Sequence, residues 1–95
     1  MNNVINKIID YRNRMGWQEN DTLDSLAKSI IIEAAELLEN FQWASKKPDM
    51  ENVKEELADI LMYTLTMVND LGLNVEEIID EKIQKNSVKY PENKK

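Results

Sequence analysis

Almost nothing in this chain interrupts a helix. Its 95 residues include two glycines, Gly16 and Gly72, and two prolines, Pro48 and Pro91. Proline breaks helices because it lacks an amide hydrogen, and glycine because an ordered helix costs it more conformational freedom. Between these four positions the apolar residues recur at helical spacing. No segment alternates with period two, and no internal repeat or low-complexity tract occurs. The chain is expected to be all-α, a bundle of about four helices in a single domain over residues 1–95.

The first helix is read over residues 3–15, with Val4, Ile5, Ile8 and Met15 on its apolar side and Gly16 ending it. A polar connection, GWQENDT, follows. Thr22 or Asp21 caps the second helix, whose stripe holds Leu23, Leu26, Ala27, Ile30, Ala34, Leu37 and Phe41. That helix is expected to end within residues 43–45, before the loop SKKPD. Asp49 caps a third helix over residues 50–71, with Val53, Leu57, Ile60, Leu61, Thr64 and Val68 toward the core, and Gly72 closes it. Asn74, with Glu77 three residues on, forms the capping box of a fourth helix over residues 75–88. Residues from about 89 to 95 read as a flexible basic tail. Because the loops are short, the two long central helices are expected to run antiparallel.

Composition then removes whole classes of chemistry. There is no cysteine, hence no disulfide framework, thiol nucleophile or zinc-thiolate centre. There is no histidine, which removes the commonest general base and most transition-metal sites. Any metal must be held by oxygen, which points to magnesium, manganese or calcium. A net charge of −6 argues against sequence-independent binding of nucleic acid polymers and against docking on anionic membranes. The start of the chain lacks a leader pattern, and no run approaches a membrane span. A soluble cytoplasmic protein is expected.

Two pairs of carboxylates carry the chemical content. In IIEAAELLENFQW, Glu33 and Glu36 stand three residues apart; in EELADILMY, Glu56 and Asp59 do the same, with Tyr63 beside them. Residues at that spacing share a helix face, with Cβ atoms about 5–6 Å apart. If the two helices pack antiparallel, both acidic edges converge on one rim. The ordinary account of such acids is a solvated face. Two details favour a site. No lysine lies within a helical turn of Glu33 or Glu36, as a solvated face would normally supply. Ile32 and Met62 also fall outside the core stripes, so both helices are apolar on two sides and self-association is expected. Glu39, Glu51 and Glu55 read as surface residues. Four converging carboxylates repel unless a cation compensates them, and magnesium suits an all-oxygen cluster that also receives phosphates.

Charge reverses at the C-terminal end, where Lys82, Lys85, Lys89, Lys94 and Lys95 face one acid, Glu92. Lysines there complement the helix dipole, or they clamp phosphate; charge alone does not separate the two. Trp17 and Trp43 pack a core or offer a flat face to a nucleobase.

These residues together resemble a known family. The pattern of IEAAE followed by ELAD is similar to the signature of the MazG-like, all-α nucleoside triphosphate pyrophosphohydrolases. Trp17 sixteen residues before Glu33, ENFQW, EELADILMY and the ending KIQKNSVKYP resemble the dCTP pyrophosphatase branch. The resemblance implies that Glu33, Glu36, Glu56 and Asp59 hold Mg2+, with Mn2+ a possible substitute. It implies that Lys82, Asn86 and Tyr63 contact the phosphates and that Trp17 and Trp43 lie along the base pocket. It also implies a dimer or dimer of dimers whose sites draw on more than one chain. The reaction would be hydrolysis of a nucleoside triphosphate, such as dCTP, to the monophosphate and pyrophosphate, with Glu36 or Glu33 accepting the proton of the attacking water. Two positions depart from the pattern. Ile32 replaces an acid common elsewhere in the family, and Asp21 stands where the dCTP branch carries a histidine. The rival reading is a non-enzymatic acidic helical module that dimerises or binds a protein partner.

Overall fold

The computed structural model describes residues 2–90 and contains four helices, with no strand among the described residues. Helix α1 (Asn2–Arg14) stops just before Gly16, whose φ of 72° places it in the left-handed region that glycine tolerates. A short 3-10 turn, Trp17–Glu19, leads to α2 (Leu23–Glu39). Thr22, not Asp21, is the cap: Thr22 Oγ1 accepts from the Ser25 amide at 3.2 Å, and Ser25 Oγ accepts from the Thr22 amide at 2.9 Å. Such a cap stabilises a helix by about 1 kcal/mol. Asp49 starts α3 (Met50–Asp70) by accepting from the amides of Glu51 and Asn52 at 3.1 and 3.3 Å. Asn74 starts α4 (Val75–Lys89) by accepting from the Glu77 amide at 3.0 Å. Only that half of the anticipated box forms among the described residues.

The packing is antiparallel where it was expected. Asn40 at the end of α2 donates from Nδ2 to Asn52 Oδ1 near the start of α3, at 2.8 Å. At the opposite end Ser25 of α2 and Thr66 of α3 wall one cavity. Helix α1 lies against the C-terminal part of α3, tied there by Arg12, whose two Nη atoms donate to the Asp70 carboxylate at 2.7 and 3.0 Å. Ile8, Leu26, Val53, Leu65 and Val68 are the buried apolar residues. Each contributes about 1.5–3 kcal/mol, which makes this a small core.

Three expectations change. Helix α2 ends at Glu39 rather than within residues 43–45, because the Asn40 side chain is engaged by Asn52 and by the Asp49 amide at 3.2 Å. Phe41 therefore leaves the stripe and is exposed. On α3 Val53 and Glu56 face inward while Leu57 and Leu61 are exposed; Leu65 and Thr66 are buried further along the helix, where α1 as well as α2 packs against it. Met62, expected on an outer face, is half-buried in the wall of the cavity.

Helix α4 leaves the bundle and buries none of its residues. The radius of gyration is accordingly 16.4 Å, against about 13 Å for a compact chain of 100 residues. No helix of the described residues is long and apolar enough to cross a membrane.

Candidate functional site

The antiparallel pairing of α2 and α3 sets one acidic edge against the other. Glu33, Glu56 and Asp59 each place a carboxylate oxygen within 4.8 Å of the others. Glu56 is 6 % exposed, and both Glu56 Oε2 and Glu33 Oε2 are buried without a hydrogen-bond partner. No ion pair among the described residues reaches any of these acids. Glu36, one turn further along α2, is exposed but close enough to act on its neighbours.

Crowded acids must share protons or take up a cation. The Glu56 carboxyl is pushed up to about 7, first by sharing a hydrogen bond with Glu36, then by burial, then by Glu33. Glu33 is also raised, chiefly by burial and then by Glu36, with Glu56 acting in the opposite direction. Orphaned buried oxygens, an all-oxygen donor set and the lack of a basic partner together fit a hard divalent cation.

A cavity of about 560 Å³ opens beside the acids and shares Asp59 with them. That volume lies in the range of small-molecule sites. Its aromatic residues are Tyr11, Trp17 and Tyr63; the Tyr11 and Trp17 rings meet edge to face at 5.5 Å and 87°. Polar groups enter from four elements: Arg12 from α1, Asn20 and Asp21 from the connection, Ser25 and Ser29 from α2, and Asp59 and Thr66 from α3. The Tyr63 phenol is raised, first by burial and then by the charges of Asp59, Glu33 and Asp21, so it remains an O–H donor at neutral pH.

Residues 28–95 match the MazG-like family. The chain belongs to that family. It is also similar to a crystal structure of a pyrophosphatase from Archaeoglobus fulgidus DSM 4304, with 37 % identity and a TM-score of 0.83, over 97 % of this chain and 93 % of that one. None of the curated proteins matches the chain. The resemblance read from the sequence thus holds at the level of the MazG-like family and of the all-helical fold.

Within one MazG-like chain, the site residues anticipated from sequence fall into two groups. Glu33, Glu56 and Asp59 come together, Glu36 stands at their rim, and Trp17 and Tyr63 line the adjoining cavity. Trp43 lies beyond the end of α2 with 63 % of its surface exposed, away from the cavity wall. Lys82 and Asn86 ride on α4, outside the wall as well. Arg12, Asn20, Ser25 and Ser29 were not singled out. Ser25 and Ser29 did leave a signal: with Glu33 they follow one another at four-residue steps on one face of α2.

Proposed function

We propose that this MazG-like protein hydrolyses a nucleoside triphosphate to the monophosphate and pyrophosphate with a divalent cation, Mg2+ or in its place Mn2+, and that the substrate is a deoxynucleotide such as dCTP in the cytoplasmic pool. The observation that carries this reading is the cluster of Glu33, Glu56 and Asp59, with orphaned buried oxygens on Glu33 and Glu56, beside a nucleoside-sized cavity that shares Asp59. The likeness to a protein described as a pyrophosphatase supports it.

Glu33, Glu56 and Asp59 would hold the cation, with Glu36 joining them from the rim. A divalent ion held there supplies positive charge to offset that of the phosphates and Lewis acidity toward the reacting oxygens. Glu36, exposed at the rim of the buried acids, takes the proton of the attacking water, or Glu33 does so. The Tyr63 O–H donates to a phosphate oxygen near Asp59, and Trp17 offers its face to the base. Phosphoryl chemistry asks for positioning and charge stabilisation more than covalent help, which suits a chain without histidine or cysteine.

Lys82 and Asn86 reach phosphates, and Trp43 reaches the base, in an assembly of two or four copies. Exposed Ile31, Ile32, Leu57 and Leu61 on the bundle, with Ile79 and Ile83 on α4, give a second copy an apolar surface to cover.

Thermal unfolding tests the reading. With Mg2+ and a non-hydrolysable deoxynucleoside triphosphate at a hundred times its dissociation constant, the wild type should gain about 2.7 kcal/mol. Glu56→Gln, relieved of one buried charge, should melt no lower than wild type without cation and lose the Mg2+-dependent gain. A protein-binding module would be indifferent to magnesium and nucleotide alike.

A further inference from the structure

We infer that the loop joining α2 to α3 receives the pyrophosphate half of the substrate, with Lys46, Lys47 and the Asn52 side-chain amide as its ligands. This rests on the pyrophosphohydrolase reading above and assigns a second subsite on the far side of the acids.

One polar seam runs along the α2–α3 contact. On α2 it carries Ser29, Glu33, Glu36 and Asn40, and on α3 Asn52, Glu56, Asp59 and Tyr63, each set at steps of four, three and four residues. Steps of that size keep to one face of a helix. Because the helices are antiparallel, the two sets meet in reverse order. Asn40 bonds to Asn52, Glu36 acts on Glu56, the Glu33 and Asp59 carboxylates converge, and Ser29 and Tyr63 share the large cavity. The large cavity thus lies at one end of the acids and the α2–α3 loop at the other.

At the loop end is a second cavity of about 220 Å³, lined by Glu39, Asn40, Lys46, Lys47, Asp49 and Asn52. Asn40 and Asn52 stand four residues from Glu36 and Glu56, about 6 Å along each helix axis. A nucleotide with its base and sugar in the large cavity and its reacting phosphate at the acids extends its outer phosphates toward this second cavity.

The donors there are unused. The Asp49 amide donates to Asn40 Oδ1 at 3.2 Å, so Asn40 Nδ2 donates to Asn52 Oδ1 at 2.8 Å. That leaves Asn52 Nδ2 as a donor with no acceptor among the described residues. Lys46 and Lys47 are exposed and form no ion pair among those residues. Of the two acids in the lining, Asp49 already accepts from the amides of Glu51 and Asn52, while Glu39 is exposed and opposes an anion.

Ammonium groups donate only, and the ionised oxygens of a pyrophosphate accept. In the reaction a bond forms from the water oxygen to the α-phosphorus, and the bond from that phosphorus to the bridging oxygen breaks. The bridging oxygen keeps the electron pair. Charge therefore builds on the leaving pyrophosphate, where positive side chains offset it. The lysines of α4 line neither cavity within one chain, so the loop supplies this charge.

The test is inhibition by products. Loss of a deoxynucleoside triphosphate with Mg2+ is followed with added pyrophosphate or added nucleoside monophosphate, in wild type, in Lys46→Gln with Lys47→Gln, and in Glu39→Gln. The double variant should raise both KM and the inhibition constant of pyrophosphate about fivefold, at the upper end for exposed ion pairs. Its inhibition constant for the monophosphate should not change. Glu39→Gln, which removes the opposing charge, should tighten pyrophosphate about twofold. All three side chains are exposed, so the variants should melt with wild type. An unchanged pyrophosphate constant in the double variant overturns the inference and leaves the pyrophosphohydrolase reading standing. Equal weakening of both products also overturns it, because that marks a general attraction of anions. No loss of any deoxynucleoside triphosphate, with a folded protein, removes that reading and this inference with it.

Discussion

Arg12 and Asp70 lie 58 positions apart in sequence and meet in a two-pronged hydrogen bond. The pair fixes α1 on α3 and holds one wall of the cavity in place. The bond from Arg12 keeps the Asp70 carboxyl below the usual carboxylate range, against a smaller opposing effect of burial. A lowered folded pKa means that the pair stabilises the fold above the unfolded value, about 3.9 for aspartate, and that this contribution is lost as pH falls through the folded value. Equilibrium unfolding of wild type and Asp70→Asn should therefore differ at neutral pH, with the gap closing below about pH 3.9. A gap that stays constant into acid would assign the effect to shape rather than to charge.

At the scale of the element, helix starts were legible and one helix end was not. Thr22, Asp49 and Asn74 bond to amides two or three residues ahead, so the whole interaction lies inside a short window of sequence. Asn40 ends α2 through Asn52 and the Asp49 amide, partners twelve and nine residues away that a local reading does not reach. Hydropathy alone favoured Leu57 and Leu61 as inward residues of α3; the face that α2 meets instead carries Val53 and the buried Glu56. The acid pairs were legible because three-residue spacing is a property of one helix. The wall of Arg12, Asn20, Asp21, Ser25 and Ser29 draws on three elements and exists only once they pack. Asn40→Ala removes two hydrogen bonds at the α2–α3 joint and should lower stability to urea by about 1–3 kcal/mol. No change would mean that the loop from Phe41 to Pro48 holds its course without Asn40.

The whole molecule is unusually open for its length. Helix α4 buries nothing, and large apolar side chains lie bare on α2, α3 and α4. One chain of 11.1 kDa has little core to hold itself together. Light scattering should give at least twice the mass of one chain, with a melting temperature that rises with protein concentration. Leu61→Glu, on the bare face of α3, should shift the protein toward 11.1 kDa. A monodisperse single chain at all concentrations would contradict that assembly, and with it the route by which Lys82 and Asn86 join the site. The chemistry itself is tested most directly by identifying products: the protein is incubated with Mg2+ and each deoxynucleoside triphosphate, and nucleotides, pyrophosphate and orthophosphate are quantified. The account predicts monophosphate and pyrophosphate in equal amounts, abolished by chelator and by Glu56→Gln. Diphosphate with orthophosphate, or turnover that survives both chelator and Glu56→Gln, would contradict it.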